Sequence, residues 1–327
     1  MLRSEISPAL LQKFAKDTGY PLHIFEEPYF SHQRRLYARI DPSIGLMWQE
    51  YLRAVEQCGG QENFFKASYD VSAAILNHIN DSAGYKKFQE ADFTNLPMIP
   101  KSGVNVYTTQ YNNWRMLSVD LVRANFQALQ FFGDDIHLGQ STWEDFVGRF
   151  TNVEYFKHAR YLRQVTYGKL NIKKIANYER HLVYKYVLPM LVQLPIYQEA
   201  PEQYRILTTL SHDEAIAAFD PRYYFGSCME NVSDIAYDLW QRFNIETPVK
   251  TRILVFDLVP LGPMKSSFMR IPIYPAKPVD FYCVNKQWMC QAIRWYLKEE
   301  VQDLDRYFMH EGRLAKFIEP VIQIDEI

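Results

Sequence analysis

Two segments of the chain place acidic residues where phosphate chemistry would need them. Asp120 ends an apolar run and is followed at once by a helical pattern, which predicts a carboxylate at the end of a buried strand. Asp213 lies with His212 and Glu214 between two strand-like runs, which predicts an acidic pair in a hairpin turn. Two carboxylates brought together from separate strands can hold two Mg²⁺ or Mn²⁺ ions, which stabilise the attacking and leaving oxygens of phosphoryl transfer.

A third segment, 160–168, combines positive charge with aromatic rings. Arg163 and Tyr167 are four residues apart on a predicted helix, so a phosphate clamp and a stacking ring would share one face. Between positions 157 and 186 there are eight Lys or Arg residues and one acid, whereas the whole chain has a net charge of −2. This stretch indicates either a groove for phosphates or a solvated helix face that meets an acidic partner. The candidate nucleic-acid contacts are Lys157, Arg160, Lys169, Lys173 and Lys174.

The order of these three segments resembles that of motifs A, B and C of the family A DNA polymerases. Residues 120–125 match the spacing D-x-x-x-x-[EN], residues 163–168 match [KR]-x-x-x-[FY]-G, and residues 212–214 read HDE. The resemblance implies that Asp120 and Asp213 bind metal and that Arg163 holds the incoming triphosphate. It further implies that Tyr167 stacks beside the nascent base pair and that His212 touches the primer end.

The sequence departs from the family pattern at three points, and these departures lead to further expectations. Motifs A and C are only 213 − 120 = 93 residues apart, which implies reduced fingers. Ala159 stands where the family has an arginine, and Arg160 is the nearest replacement. Asn125 stands where the family has the glutamate that packs beneath the incoming ribose. Because asparagine is shorter and uncharged, we expect ribonucleotides to be tolerated better than in the family.

The pattern of helices and strands predicts an α+β fold rather than alternating β-α-β units. We expect a helical N-terminal region at 1–100, an antiparallel palm sheet with inserted helical fingers at 101–220, and a mixed α/β lobe at 221–327. Strands are predicted at 104–110, 116–120, 205–210 and 214–219, and long helices at 153–168 and 172–188.

The length of the apolar runs and the spacing of the cysteines further narrow the class of protein to which the chain can belong. No apolar run approaches the roughly 20 residues that cross a bilayer, and the four cysteines show no C-x-x-C spacing. We therefore expect a soluble intracellular protein, without a membrane partner, that binds nucleic acid and nucleoside triphosphates. Segment 161–171 weakly resembles proteins of phages and large DNA viruses, in which case the location is the host cell. The leading hypothesis is a template-dependent nucleotidyltransferase (a DNA polymerase, or primase-like). The alternatives are a non-catalytic nucleic-acid-binding module of a replication or transcription complex and a two-metal nuclease.

Overall fold

The N-terminal region is helical, as predicted. The computed structural model describes residues 6–101, 103–194, 204–209, 211–220, 232–262 and 264–322. The first five helices are α1 (Pro8–Thr18), α2 (Tyr29–Tyr37), α3 (Ser43–Gln57), α4 (Gln61–Asp81) and α5 (Ala83–Glu90). Ser7 caps α1 by accepting a hydrogen bond from the Leu10 amide, and Gly19 ends it with a φ of 81°. No helix in the described ranges is long and apolar enough to cross a bilayer.

An antiparallel sheet forms the centre of the molecule and confirms the α+β class. Its strands are β1 (Trp114–Leu121), β2 (Tyr204–Thr208), β3 (Glu214–Phe219), β4 (Thr251–Leu261), β5 (Met264–Tyr274) and β6 (Asp280–Tyr282). Among the described residues the sheet has six strands in the order β2-β3-β1-β4-β5-β6. A separate hairpin pairs β7 (Tyr307–His310) with β8 (Arg313–Lys316). The strand that carries Asp120 is therefore central, between the strand that follows the HDE turn and a strand from the last third of the chain.

Helices fill the connection between β1 and β2. They are α6 (Ala124–Gln130), α7 (Trp143–Val147), α8 (Glu154–His158), α9 (Arg160–Gly168), α10 (Ile172–Leu182) and α11 (Leu188–Val192). The predicted single helix over 153–168 is wrong, because Ala159 has an extended backbone (ψ 107°) that separates α8 from α9. The predicted helix over 172–188 continues further than expected, through a π-helical segment at 183–187 into α11. Pro189 lies in the first turn of α11, where a missing N–H is tolerated.

The predicted strand over 104–110 is also wrong. Its alternating apolar and polar residues form an extended segment that ends in a 3₁₀ turn (Thr109–Tyr111). The Val104 amide donates a hydrogen bond to the Thr208 carbonyl of β2. Asn105 accepts a hydrogen bond from the Tyr107 amide, a local contact that competes with strand pairing. The strand predicted over 205–210 is confirmed through Thr208, and Leu210 lies outside the described residues.

The two faces of the sheet have different neighbours. Leu117, Val119 and Leu121 of β1 join the large hydrophobic core that is shared with the helices. Trp114 and Met116, on the opposite face, belong to a smaller cluster with residues of β3, β4 and β5. Alternation along β1 places Asp120 on this second face.

The last part of the chain completes the fold with α12 (Val232–Glu246), whose inner face joins the large core, and α13 (Met289–Tyr296). The large core contains residues from all three ranges expected as regions, 1–100, 101–220 and 221–327.

Candidate active site

A row of three charged residues crosses the sheet at the end of β1. Asp120 is in register with Glu214 of β3 on one side and with Arg252 of β4 on the other. Arg252 donates a hydrogen bond to the Asp120 carboxylate. Glu214 accepts one from the Ser118 hydroxyl and lies 3.8 Å from the Arg270 guanidinium. Since directly opposed residues of antiparallel strands share a face, these side chains form one polar site.

The turn between β2 and β3 brings Asp213 opposite Leu121, the residue that follows Asp120. The Leu121 amide donates to the Asp213 carbonyl over 2.9 Å, which continues the β1–β3 ladder by one step beyond Glu214. His212 takes a left-handed backbone conformation (φ 73°) that the turn requires. Burial raises the pKa of the Asp213 carboxyl, and the Glu214 charge raises it further. The structure thus brings together the acidic residues of the first and last motifs, Asp120 with Asp213 and Glu214.

A fourth carboxylate was not among the predicted site residues. Glu179 of α10 is 5% exposed, and its carboxyl group accepts a hydrogen bond of 2.8 Å from the Asn125 side-chain amide on α6. Burial, together with the negative charges of Asp213 and Asp120, raises the pKa of Glu179 to about 8. The one signal in the sequence is that Glu179 is the single acid within the basic stretch 157–186.

These carboxylates crowd negative charge into a half-buried site. The pKa of Asp120 is raised to about 7, because burial and the Asp213 and Glu214 charges together outweigh the opposing Arg252 charge. Charge of this kind favours a cation at the site. In the part of the chain that the structure describes, no three His, Cys, Asp or Glu side chains are arranged to hold a metal ion. Mg²⁺ needs fewer protein ligands than this, because it keeps several waters and binds through one or two carboxylates plus substrate phosphates. Asp120 and Asp213 supply carboxylates of the kind that this donor set uses, and the Asp213 charge reaches Asp120.

Arginines lie on the helical side of the same site. Burial lowers the pKa of Arg163, and the charges of Arg160 and Arg252 lower it further. Burial also lowers the pKa of Arg123, with the Arg163 charge adding to the effect. Arg123 is paired with Glu144, but Arg163 makes no side-chain hydrogen bond or ion pair to any residue that the structure describes. Arg163 is therefore available to an anionic ligand, in keeping with its predicted contact with a triphosphate.

Tyr167 lies in a different environment from the one its predicted role requires. Its side chain is 1% exposed, and its hydroxyl is 2.9 Å from Nε2 of His137. The Trp143 ring lies against it, with ring centroids 5.5 Å apart. In this conformation Tyr167 is part of the core, and stacking beside a base pair would require the ring to leave its pocket.

The residues predicted to bind nucleic acid contact different parts of the protein and do not form one common surface. Lys157 pairs with Glu154 at 2.6 Å, and Lys174 donates to the Gln89 carbonyl at 2.6 Å. The Arg160 guanidinium lies against Gly19, at the end of α1, and the Lys169 ammonium lies 5.9 Å from the centre of the Tyr69 ring. Lys173 is exposed in the first turn of α10. The basic stretch of the sequence is thus distributed around the helical layer.

A polar cavity of about 200 Å³ adjoins the row of charged residues, and the sequence carried no signal for it. Glu214, Arg252 and Arg270 line it together with Asp280. The Arg270 guanidinium lies 4.2 Å from the centre of the Tyr282 ring, which holds it in a fixed plane. Arg270 and Asp280 lie on β5 and β6, which come from a part of the chain that the family resemblance does not cover.

Comparisons of the chain with protein-family models, with curated proteins and with solved structures found no match.

Proposed function

We propose that the protein is a template-dependent nucleotidyltransferase, either a DNA polymerase or a primase-like enzyme. One observation carries the proposal: the HDE turn is hydrogen-bonded to the end of β1, which sets Asp213 opposite Leu121, one position beyond the Asp120–Glu214 pair. A central antiparallel sheet with helices inserted between β1 and the β2–β3 hairpin is the arrangement that the family A resemblance predicts.

Different residues of the site would bind the metal ion and the phosphates of the nucleotide. Asp120 and Asp213 would hold Mg²⁺, which supplies charge stabilisation for the attacking and leaving oxygens of phosphoryl transfer. Arg163, which has no protein partner among the described residues, would bind the triphosphate of the incoming nucleotide. Arg252 forms an ion pair with Asp120. When the Asp120 carboxylate binds a cation instead, the Arg252 guanidinium would become available to bind phosphate.

Primer extension with Asp120→Asn and Asp213→Asn variants tests this proposal. Each substitution removes a metal ligand, so we expect incorporation to fall by a factor of roughly one hundred or more while binding of primed template persists. Asp257→Asn is the matched control, because Asp257 pairs with Arg115 at the other end of β1, 2.9 Å away. Incorporation by either site variant at the wild-type rate would refute the assignment.

The Asp120–Arg252 ion pair also favours a second candidate, a nucleic-acid-binding module without catalysis. In that case Arg252 compensates the Asp120 carboxylate permanently and no cation is required. Wild-type protein that binds nucleic acid but incorporates no nucleotide on primed or unprimed DNA and RNA templates would support this second function over the first.

A further inference from the structure

A cleft on the other side of α9 has the chemistry of a second binding site. It has a volume of about 360 Å³ and lies between α1, α4 and α9. Three lysines line it (Lys13, Lys16 and Lys169), as do Phe65, Tyr69 and Tyr161. No acidic side chain lines the cleft within the described ranges. The cleft is therefore both positively charged and aromatic.

Each lysine of the cleft lies near an aromatic ring. The ammonium groups of Lys13 and Lys16 are each 5.8 Å from the centre of the Tyr161 ring. The Lys169 ammonium is 5.9 Å from the centre of the Tyr69 ring. Lys13 is also paired with the buried Asp17, at 2.9 Å, whereas Lys16 and Lys169 form no ion pair with any described residue. Two positive charges thus remain uncompensated beside exposed rings.

The rings of the cleft are accessible to a ligand. Tyr69 is 66% exposed and Tyr161 is 38% exposed, although both lie on helices whose inner faces are packed in the core. Exposed aromatic rings beside uncompensated lysines are the combination that binds unpaired bases and their phosphates, since every base can stack and every phosphate carries a charge. In a duplex the phosphates are accessible, but the faces of the bases are covered by their stacked neighbours.

We propose that this cleft binds a single strand of nucleic acid, with bases stacked on Tyr161 and Tyr69 and phosphates at Lys16 and Lys169. The site goes beyond the proposed function, because it uses none of the residues around Asp120. Along α9, Tyr161, Val165 and Lys169 follow one another at intervals of four, which places them on the face opposite Arg163 and Tyr167.

Fluorescence anisotropy with labelled oligothymidylate and oligouridylate of about 12 nucleotides tests the cleft. We expect Lys16→Gln/Lys169→Gln to weaken binding and to reduce the slope of log affinity against log salt by about 1.4, since each phosphate of a single strand that a lysine neutralises adds about 0.7 to that slope. Tyr161→Leu and Tyr69→Leu each remove a stacking ring, so we expect at least about fivefold weaker binding with little change in the slope.

The control separates the cleft from general charge. Lys86→Gln/Lys87→Gln removes the same charge from exposed positions of α5 and should leave the salt slope unchanged. The proposal is overturned if the wild type binds neither oligonucleotide, if the α5 control loses as much slope as the cleft variant, or if both tyrosine variants bind like the wild type.

Discussion

The Asn125 side-chain amide donates a hydrogen bond to Oε1 of Glu179 across 2.8 Å, joining α6 to α10 beside the end of β1. In the motif that residues 120–125 resemble, a glutamate occupies the position of Asn125. Since Glu179 also lies within the electrostatic reach of Asp120 and Asp213, this hydrogen bond holds a fourth acid at the site.

A double-mutant cycle measures how strongly Asn125 and Glu179 are coupled. We expect the free energies of unfolding of Asn125→Ala, Glu179→Ala and the double variant to give a coupling of about 0.5–1.5 kcal/mol, typical of a hydrogen bond between neutral groups, because a carboxyl with a pKa of about 8 is mostly protonated at neutral pH. Urea unfolding at neutral pH provides the measurement. The cycle cancels the effect of Glu179 on its other neighbours, and additive losses would show that the hydrogen bond contributes nothing to stability.

If the proposed function holds, the size of residue 125 should affect which sugar the enzyme selects. We expect the wild type to use ribonucleotides readily, and we expect Asn125→Gln to lower the ratio of ribonucleotide to deoxyribonucleotide incorporation by up to about tenfold. Glutamine adds one methylene group and keeps the amide that Glu179 accepts from. Competition of the two nucleotide types on one template measures the ratio. A strong deoxyribonucleotide preference in the wild type, unaltered in the variant, would contradict the prediction.

Removal of the Arg163 guanidinium should weaken nucleotide binding. We expect Arg163→Ala to raise the KM for nucleoside triphosphates about tenfold or more, because alanine cannot form the charge-assisted hydrogen bonds to phosphate. Arg163→Lys should restore only part of the affinity, since an ammonium cannot form the paired contacts of a guanidinium. Arg149→Ala, at an exposed position between α7 and α8, is the matched control. An unchanged KM in Arg163→Ala would place the triphosphate elsewhere.

His137 should make stability sensitive to acid. Burial, together with the charge of His78, lowers its pKa to about 3. In the unfolded chain a histidine titrates near 6.5, so between about pH 6.5 and 3 the unfolded state binds one more proton at this position. The free energy of unfolding should therefore fall as the pH falls, by at most about 1.4 kcal/mol per pH unit from this residue.

Urea unfolding at several pH values between about 7 and 5 isolates the His137 contribution. We expect His137→Gln to be less stable at neutral pH, because glutamine has no ring to stack on Phe126 and does not reproduce the hydrogen bond to the Tyr167 hydroxyl. Its stability should also depend less steeply on pH than that of the wild type. His310→Gln, at an exposed position of β7, should keep the wild-type slope. Equal slopes in all three proteins would mean that His137 is not the group that titrates.

Local patterns in the sequence predicted several elements because the cause of each is local. The cap at Ser7 and the left-handed Gly19 mark the ends of α1, and an apolar run followed by a helical pattern identifies β1. The helix over 153–168 was mispredicted at Ala159, since no proline or glycine marks the break there. The burial of Tyr167 could not be read from its spacing, because it depends on contacts with Trp143 and His137.

Strand and turn patterns in the sequence indicate an acid at the end of a strand at Asp120 and another in a hairpin turn at Asp213, because such patterns need only neighbouring residues. That the two come to adjacent positions of one sheet depends on tertiary contacts, since the hydrogen bonds that align β1 with β3 join residues more than ninety positions apart. The same is true of Glu179, Arg252 and the lysines of the cleft. Each reaches its site through packing between distant segments, and periodicity along the chain carries no information on which helix or strand will become the neighbour.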